Sequence, residues 1–229
     1  MPRTLFDTEI NKIRTDIAQL SANVSNATSR AVASLINRDF DEARAVKQDD
    51  KITDQLRYQV ENECLTTIAT QQPVARDLRE IVAATFVAVE LERCGDYAKG
   101  VAKAARKITR CDSGLGPYNL SEMDRVARGM LERATQAFVE KDTETAQVII
   151  EEDNFVDKLY NDLVVYTTTM MSNDPSYIEC GVWLMHAGHC LERIADRATN
   201  IAERVIFVET GVAADMNKHT AEESRKIGY

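Results

Sequence analysis

Four pairs of acidic residues stand four positions apart at corresponding places in the two halves of the chain: Asp50/Asp54 and Glu92/Asp96, then Asp153/Asp157 and Glu192/Asp196. On an α-helix, positions i and i+4 share one face, so each pair aims two carboxylates the same way. Like charges at that spacing weaken a helix by roughly 0.2–0.5 kcal/mol per pair. The number of such pairs is ordinary for a chain with 37 acidic residues, and a fifth pair, Glu140/Glu144, has no counterpart. The matched placement of the other four is what calls for a chemical explanation.

Metal binding is that explanation. If the helices carrying the two pairs of one half run antiparallel, four carboxylates converge. Two unit charges 4 Å apart repel by about 4 kcal/mol at an effective dielectric of 20. Protonation, separation, basic neighbours or a cation must relieve this. Oxygen-only sites suit hard cations: magnesium, calcium, manganese or oxidised iron. Arg93 and Arg193 adjoin the two motif glutamates but point about 100° away around the helix. His189 precedes Glu192 by three residues and shares its face, Asn200 extends that face past Asp196, and Glu203 lies nearby; these three are possible supporting residues. His186 and His219 have no assigned role. The competing reading of the pairs is an acidic docking face for another protein.

The elements that must position these residues are helices. Apolar residues recur at intervals of three and four: Ile10, Ile13, Ile17, Leu20, Val24; Ile52, Leu56, Val60, Cys64, Ile68; Leu78, Ile81, Val82, Thr85, Val89. The second half repeats the pattern with Val126, Met130, Ala134, Phe138; Val156, Leu159, Leu163, Thr167, Met170; and Met185, Gly188, Ile194, Ala198, Ile201, Val205. Breaks are expected at 37–41, where an acidic N-cap follows, at Gln71-Gln72-Pro73 and at Ser172-Asn173-Asp174-Pro175. Ser121-Glu122-Met123-Asp124 reads as a further N-cap. With Ala43 matched to Ala146, Asp50 falls on Asp153 and Asp54 on Asp157; Leu91-Glu92-Arg93 falls on Leu191-Glu192-Arg193 after a short slip. A repeat of about 100 residues is too long for a solenoid unit. The expected fold is all-α, two tandem three-helix bundles related by internal duplication: residues 1–112, residues 117–211, and a polar tail over 212–229.

Composition narrows the class. The 229 residues carry a net charge of −9 and 44% hydrophobic residues, enough for a sizeable core. An acidic chain without a broad basic surface is not expected to bind nucleic acid. No signal peptide and no membrane span are read in the sequence, so the expectation is a soluble, cytoplasmic protein that meets membranes only through partners. Five cysteines without a C-x-x-C pair are expected to be reduced thiols.

Leu91-Glu92-Arg93-Cys94-Gly95-Asp96, the run Leu191-Glu192-Arg193-Ile194-Ala195-Asp196-Arg197-Ala198-Thr199-Asn200-Ile201-Ala202-Glu203, and Gln72-Pro73-Val74-Ala75-Arg76-Asp77-Leu78-Arg79 together resemble the PhoU family of phosphate-specific transport accessory proteins. The resemblance covers roughly 6–211 and includes the duplication. It implies two three-helix bundles, with Asp50, Asp54, Glu92, Asp96, Asp153, Asp157, Glu192 and Asp196 as ligands to iron, manganese or magnesium. It implies a regulator that restrains phosphate-starvation signalling and phosphate uptake, not an enzyme. The implied partners are the ATPase subunit of a phosphate ABC transporter and a sensor histidine kinase, and a homodimer is expected. The halves are unequal: Gly100 stands where the second half has Asn200, Cys94 interrupts the first motif, and the second half lacks the Ala-x-Asp-Leu-Arg opening. Two rivals remain: a carboxylate-bridged di-metal oxidase or ferroxidase, which needs Glu-x-x-His on two helices and finds none here, and a metal-free helical scaffold.

Overall fold

The fold is given by a computed structural model that describes residues 3–108, 116 and 118–212. Six helices follow one another: α1 (Arg3–Ile36), α2 (Phe40–Gln71), α3 (Ala75–Ile108), α4 (Leu120–Glu140), α5 (Thr143–Asn173) and α6 (Ile178–Thr210), with a 3₁₀ turn at Pro175–Tyr177 before the last. Among the described residues there is no strand. Helices α1–α3 pack on one another and α4–α6 do the same, and the halves join along α3 and α6, with α1 against α4 as a second seam. Most of the expected linker and residues 213–229 of the expected tail lie outside the described residues.

Local chemistry sets the breaks. Asp39 caps α2 by accepting from the Glu42 amide at 3.0 Å, and Asp142 caps α5 by accepting from Glu144 and Thr145, each at 3.0 Å. Helix α2 ends at Gln71, with Gln72 left-handed and Pro73 following. Asp174 closes α5 and accepts from the Ser176 amide at 2.9 Å. The fourth helix departs from the expected cap: Ser121 lies inside it, and the N-cap is Asn119, left-handed and without a side-chain capping bond. Asn119 instead donates to the Leu159 carbonyl at 2.8 Å, fixing the start of α4 to α5.

The core follows the apolar spacing closely in α1, where Ile10, Ile13, Ile17, Leu20 and Val24 are all buried, and in α4 to α6. It follows less closely in the middle of the first half, where Ile52, Leu78 and Val82 are exposed. Small residues let the two central helices pack closely: Ala84, Ala88, Ala98, Ala102 and Ala105 on α3 and Ala187, Ala195, Ala198 and Ala202 on α6 are buried. Gly188 marks the tightest approach, since a Cβ there would sit 2.3 Å from Leu163 Cδ2 of α5. Helix α6 ends at Gly211, which adopts φ 73°, beside Arg79 of α3, whose guanidinium donates to the Val208 carbonyl at 3.1 and 3.2 Å. Cys64, Cys94 and Cys190 are free and buried, whereas Cys180 is disulfide-bonded, against the expectation of reduced thiols throughout. No described helix is long and apolar enough to cross a membrane.

Candidate metal centre

The antiparallel pairing of α2 with α3, and of α5 with α6, brings each half's two acidic pairs to one place. In the first half Gly95 lets α2 come close: a Cβ there would meet Thr53 Cγ2 at 3.0 Å and Asp50 Oδ1 at 3.7 Å. Glu92 feels Asp96, Asp54 and Asp50 together; burial first, then Asp96, pushes its carboxyl up, with Arg57 of α2 opposing. The second half repeats this, with Asp153 facing Asp196, Asp157 and Glu192.

The two clusters differ in what neutralises them. In the first, the Lys99 ammonium lies between the helices, 2.7 Å from Asp96 Oδ1 and in direct hydrogen-bonded contact with Asp50. Burial pulls its pKa down, but the bonds to Asp50 and Asp96 outweigh this and hold it above the usual lysine value. The position equivalent to Lys99 in the second half is Thr199. There, compensation comes from the rim: Arg193 reaches Asp196 at 2.6 Å, and His189 Nδ1, half exposed, lies 2.9 Å from Glu192 Oε2.

The consequence appears in the carboxylates. Burial and then the neighbouring Asp196 and Asp157 push Asp153 up to about 6, with a hydroxyl bond from Thr199 opposing. Burial raises Asp157, and it raises Asp196 against Arg193 and Arg197. Burial and Asp196 raise Glu192 against His189. Asp153 Oδ1 and Glu192 Oε2 are buried without a hydrogen-bond donor in good geometry. An unpartnered oxygen on Asp153, and a Glu192 carboxylate met only by a half-exposed histidine, among four crowded carboxylates fit a hard cation, whereas the first cluster already holds an ammonium where one would go. Among the described residues no three His, Cys, Asp or Glu side chains stand close enough to enclose an ion as placed, so closing a cage on α5 and α6 takes rotamer changes.

The supporting residues divide. His189 does meet Glu192. Asn200 turns away from the cluster and donates to Glu90 Oε2 of α3 at 3.0 Å. Glu203 is half buried about two turns past Asp196. Arg93 pairs with Glu90 at 3.2 Å rather than with the first cluster. Lys99 stands three positions past Asp96 on the same helix face, but its bond to Asp50, on another helix, is not carried by local spacing.

The fold defines an all-helical protein built from a tandem repeat of three-helix bundles. The PhoU domain family matches twice, over residues 17–105 and 120–205, and the chain belongs to the PhoU family. It is 32% identical over 209 residues to the phosphate-specific transport system accessory protein PhoU homolog of Rhizobium meliloti, covering 90% of this chain and 87% of that one. The homolog of the same name from Caulobacter vibrioides is 32% identical over 208 residues, covering 90% of each chain. Among solved structures, PhoU from Pseudomonas aeruginosa superposes with a TM-score of 0.86 at 30% identity, covering 90% of this chain and all of that one (100%). The phosphate transport system regulatory protein PhoU from Streptococcus pneumoniae gives 0.86 at 27% identity, covering 92% and 99%.

Proposed function

We propose that this protein is a non-enzymatic regulatory adaptor of phosphate transport, restraining uptake and starvation signalling by contacting the ATPase subunit of a phosphate ABC transporter and a sensor histidine kinase at the cytoplasmic face. Its likeness to proteins named as phosphate transport accessory and regulatory proteins, end to end in sequence and fold, carries this reading. A homodimer belongs to the same proposal. Long helices offer wide faces for docking, and the match spans both halves. The test is complementation: the chain expressed in a bacterium lacking its own PhoU should restore repression of a phosphate-starvation reporter in high phosphate. A reporter that stays fully derepressed, with the protein present at normal levels, removes the proposal.

Within that role, Asp153, Asp157, Glu192 and Asp196 are proposed as ligands of a hard cation such as iron, manganese or magnesium, supported by the unpartnered oxygen of Asp153 and the crowding of the four carboxylates. At Asp50, Asp54, Glu92 and Asp96, the matching set in the first half, Lys99 holds two of the four and takes the cation's place. Such a cation would screen the crowded carboxylates and hold α5 to α6. Thermal melts in chelator and with added Mn²⁺, Fe³⁺ or Mg²⁺ test this: binding to the folded state raises Tm by mass action. The rise should vanish in Asp153→Asn/Asp157→Asn and persist in Asp50→Asn/Asp54→Asn. The same rise in both variants overturns the assignment to the second half.

A further inference from the structure

A cavity of about 480 Å³ opens between α2, α3 and α6. Its walls carry Lys47, Lys99, Lys103, Arg106, Lys107 and His186. Among the described residues Asp96 is the one lining carboxylate, and Lys99 holds it at 2.7 Å. Five basic side chains therefore line one concavity of a chain whose net charge is −9.

Helix α3 supplies four of the five at spacings of four, seven and eight from Lys99, which is a single face. A lysine or arginine in the last turn of a helix complements its dipole, and that accounts for Arg106 and Lys107. It does not account for Lys103, a turn further in, or for Lys47, which sits near the positive end of α2. Nor does duplication account for the face. The equivalents of Lys99, Lys103, Arg106 and Lys107 in the second half are Thr199, Glu203, Ile206 and Phe207.

The floor is built as specifically. Gly100 replaces the asparagine of the second half, and a Cβ there would sit 2.7 Å from Cys190 Sγ and 3.7 Å from His186 Nε2. Glycine thus leaves room for the Cys190 thiol against the backbone of α3, with His186 in ordinary contact beside it. Trp183 stands edge-on to His186 with ring centroids 5.7 Å apart, and the Lys103 and Lys107 ammoniums lie 5.6 and 5.7 Å from the indole centroid. The indole steadies the two lysines.

We infer that this cavity binds a phosphoryl-bearing small molecule, its phosphate oxygens held by Lys47, Lys103, Arg106 and Lys107 and its remainder lodged beside His186 and Trp183. Convergent ammonium and guanidinium donors are what a multiply charged oxyanion requires. The volume falls in the range of about 300–1,000 Å³ typical of small-molecule clefts and is larger than a bare phosphate ion needs. A nucleoside polyphosphate and inorganic phosphate share this chemistry and are separated by experiment.

The chain has one tryptophan, Trp183, so its emission reports on the cavity directly. Full-length protein in EDTA is titrated with ATP and, separately, with inorganic phosphate, following fluorescence and heat. EDTA keeps the result independent of any cation at the carboxylate clusters and of the adaptor role. The expected result is saturable binding of at least one of the two, weakened about tenfold or more in Lys47→Glu and in Lys103→Gln. Saturation by ATP alone identifies a nucleotide, and saturation by phosphate identifies the free ion. The indole's contacts are with His186, Lys103 and Lys107, so the Lys47 variant keeps the optical signal, and unchanged circular-dichroism melts confirm folding. No saturable signal from either ligand up to about 5 mM, or equal affinity in wild type and a folded Lys47→Glu protein, overturns the inference.

Discussion

Asn200 of α6 donates its side-chain amide to Glu90 of α3 at 3.0 Å, across the seam between the two halves. Glu90 is 2% exposed and also receives Arg197 of α6 and Arg93 of its own helix, each at 3.2 Å. A residue placed by sequence beside a metal thus serves as half of a buried clamp. A second buried acid works the same way: Glu80, 4% exposed, accepts from Arg14 of α1 at 2.8 Å and from Lys141, after α4, at 2.6 Å.

Removing Glu90 should therefore cost more than an ordinary truncation. Glu90→Ala strands the partly buried Arg197 and leaves Asn200 without its acceptor, a loss of up to about 3–5 kcal/mol. Glu90→Gln keeps an acceptor for Asn200 and should lose less. Urea midpoints at constant m-value measure both, and equal midpoints for Glu90→Ala and wild type would refute the clamp.

The second carboxylate cluster sets a pH dependence whose sign follows from Asp153. Its folded value of about 6 lies above the ordinary aspartate value near 3.8, so the native state binds the proton more tightly than the unfolded chain. In chelator, its contribution to stability is fully present below about 4, falls as pH rises towards about 6, and is flat beyond. Asp153→Asn should remove that fall and raise stability at pH 7. Added Mn²⁺ should reverse the trend, because protons compete with a cation for the same oxygens.

Lys99 should exclude a cation from the first cluster. Lys99→Met leaves Asp50 and Asp96 without their shared partner, lowers Tm in chelator, and creates a new cation-binding step. Calorimetric stoichiometry should rise from one site-equivalent to two. Two indistinguishable steps in the wild-type protein would contradict the assignment.

Gly188→Ala should destabilise despite alanine's helix propensity. Propensity favours the change by about 1 kcal/mol. The new methyl, however, would lie 2.3 Å from Leu163 Cδ2 and 3.2 Å from Tyr160 Cδ2. Overpacking of this kind costs about 1–3 kcal/mol, so the net effect is a modest loss measurable as a lower Tm. Gly129→Ala, with open space around its Cβ, should gain stability instead.

The helices, their order and most of their ends were legible in the sequence because each rests on local chemistry. Asp39 and Asp142 cap from their own side chains, and Pro73 and Pro175 stop helices by geometry alone. The exposure of Ile52, Leu78 and Val82 was not legible, because which stripe of a nearly alanine-rich helix faces inward depends on where its neighbours lie. The pairing of the acidic residues was legible from the i, i+4 spacing and the repeat. The roles of Lys99 and Asn200 were not: each bonds to a residue 49 or 110 positions away. The basic cavity is likewise split between three helices, and its lysines read singly as solvated charges.

Arg79 finishes the last turn of α6 from the opposite half, and Glu90 receives an arginine and an asparagine that it did not inherit with its own helix. Duplication here did not leave two self-sufficient copies. A gene severed in the linker would encode fragments each carrying a polar wound that only the other can dress, so reunion of the pieces and acquisition of structure become a single event.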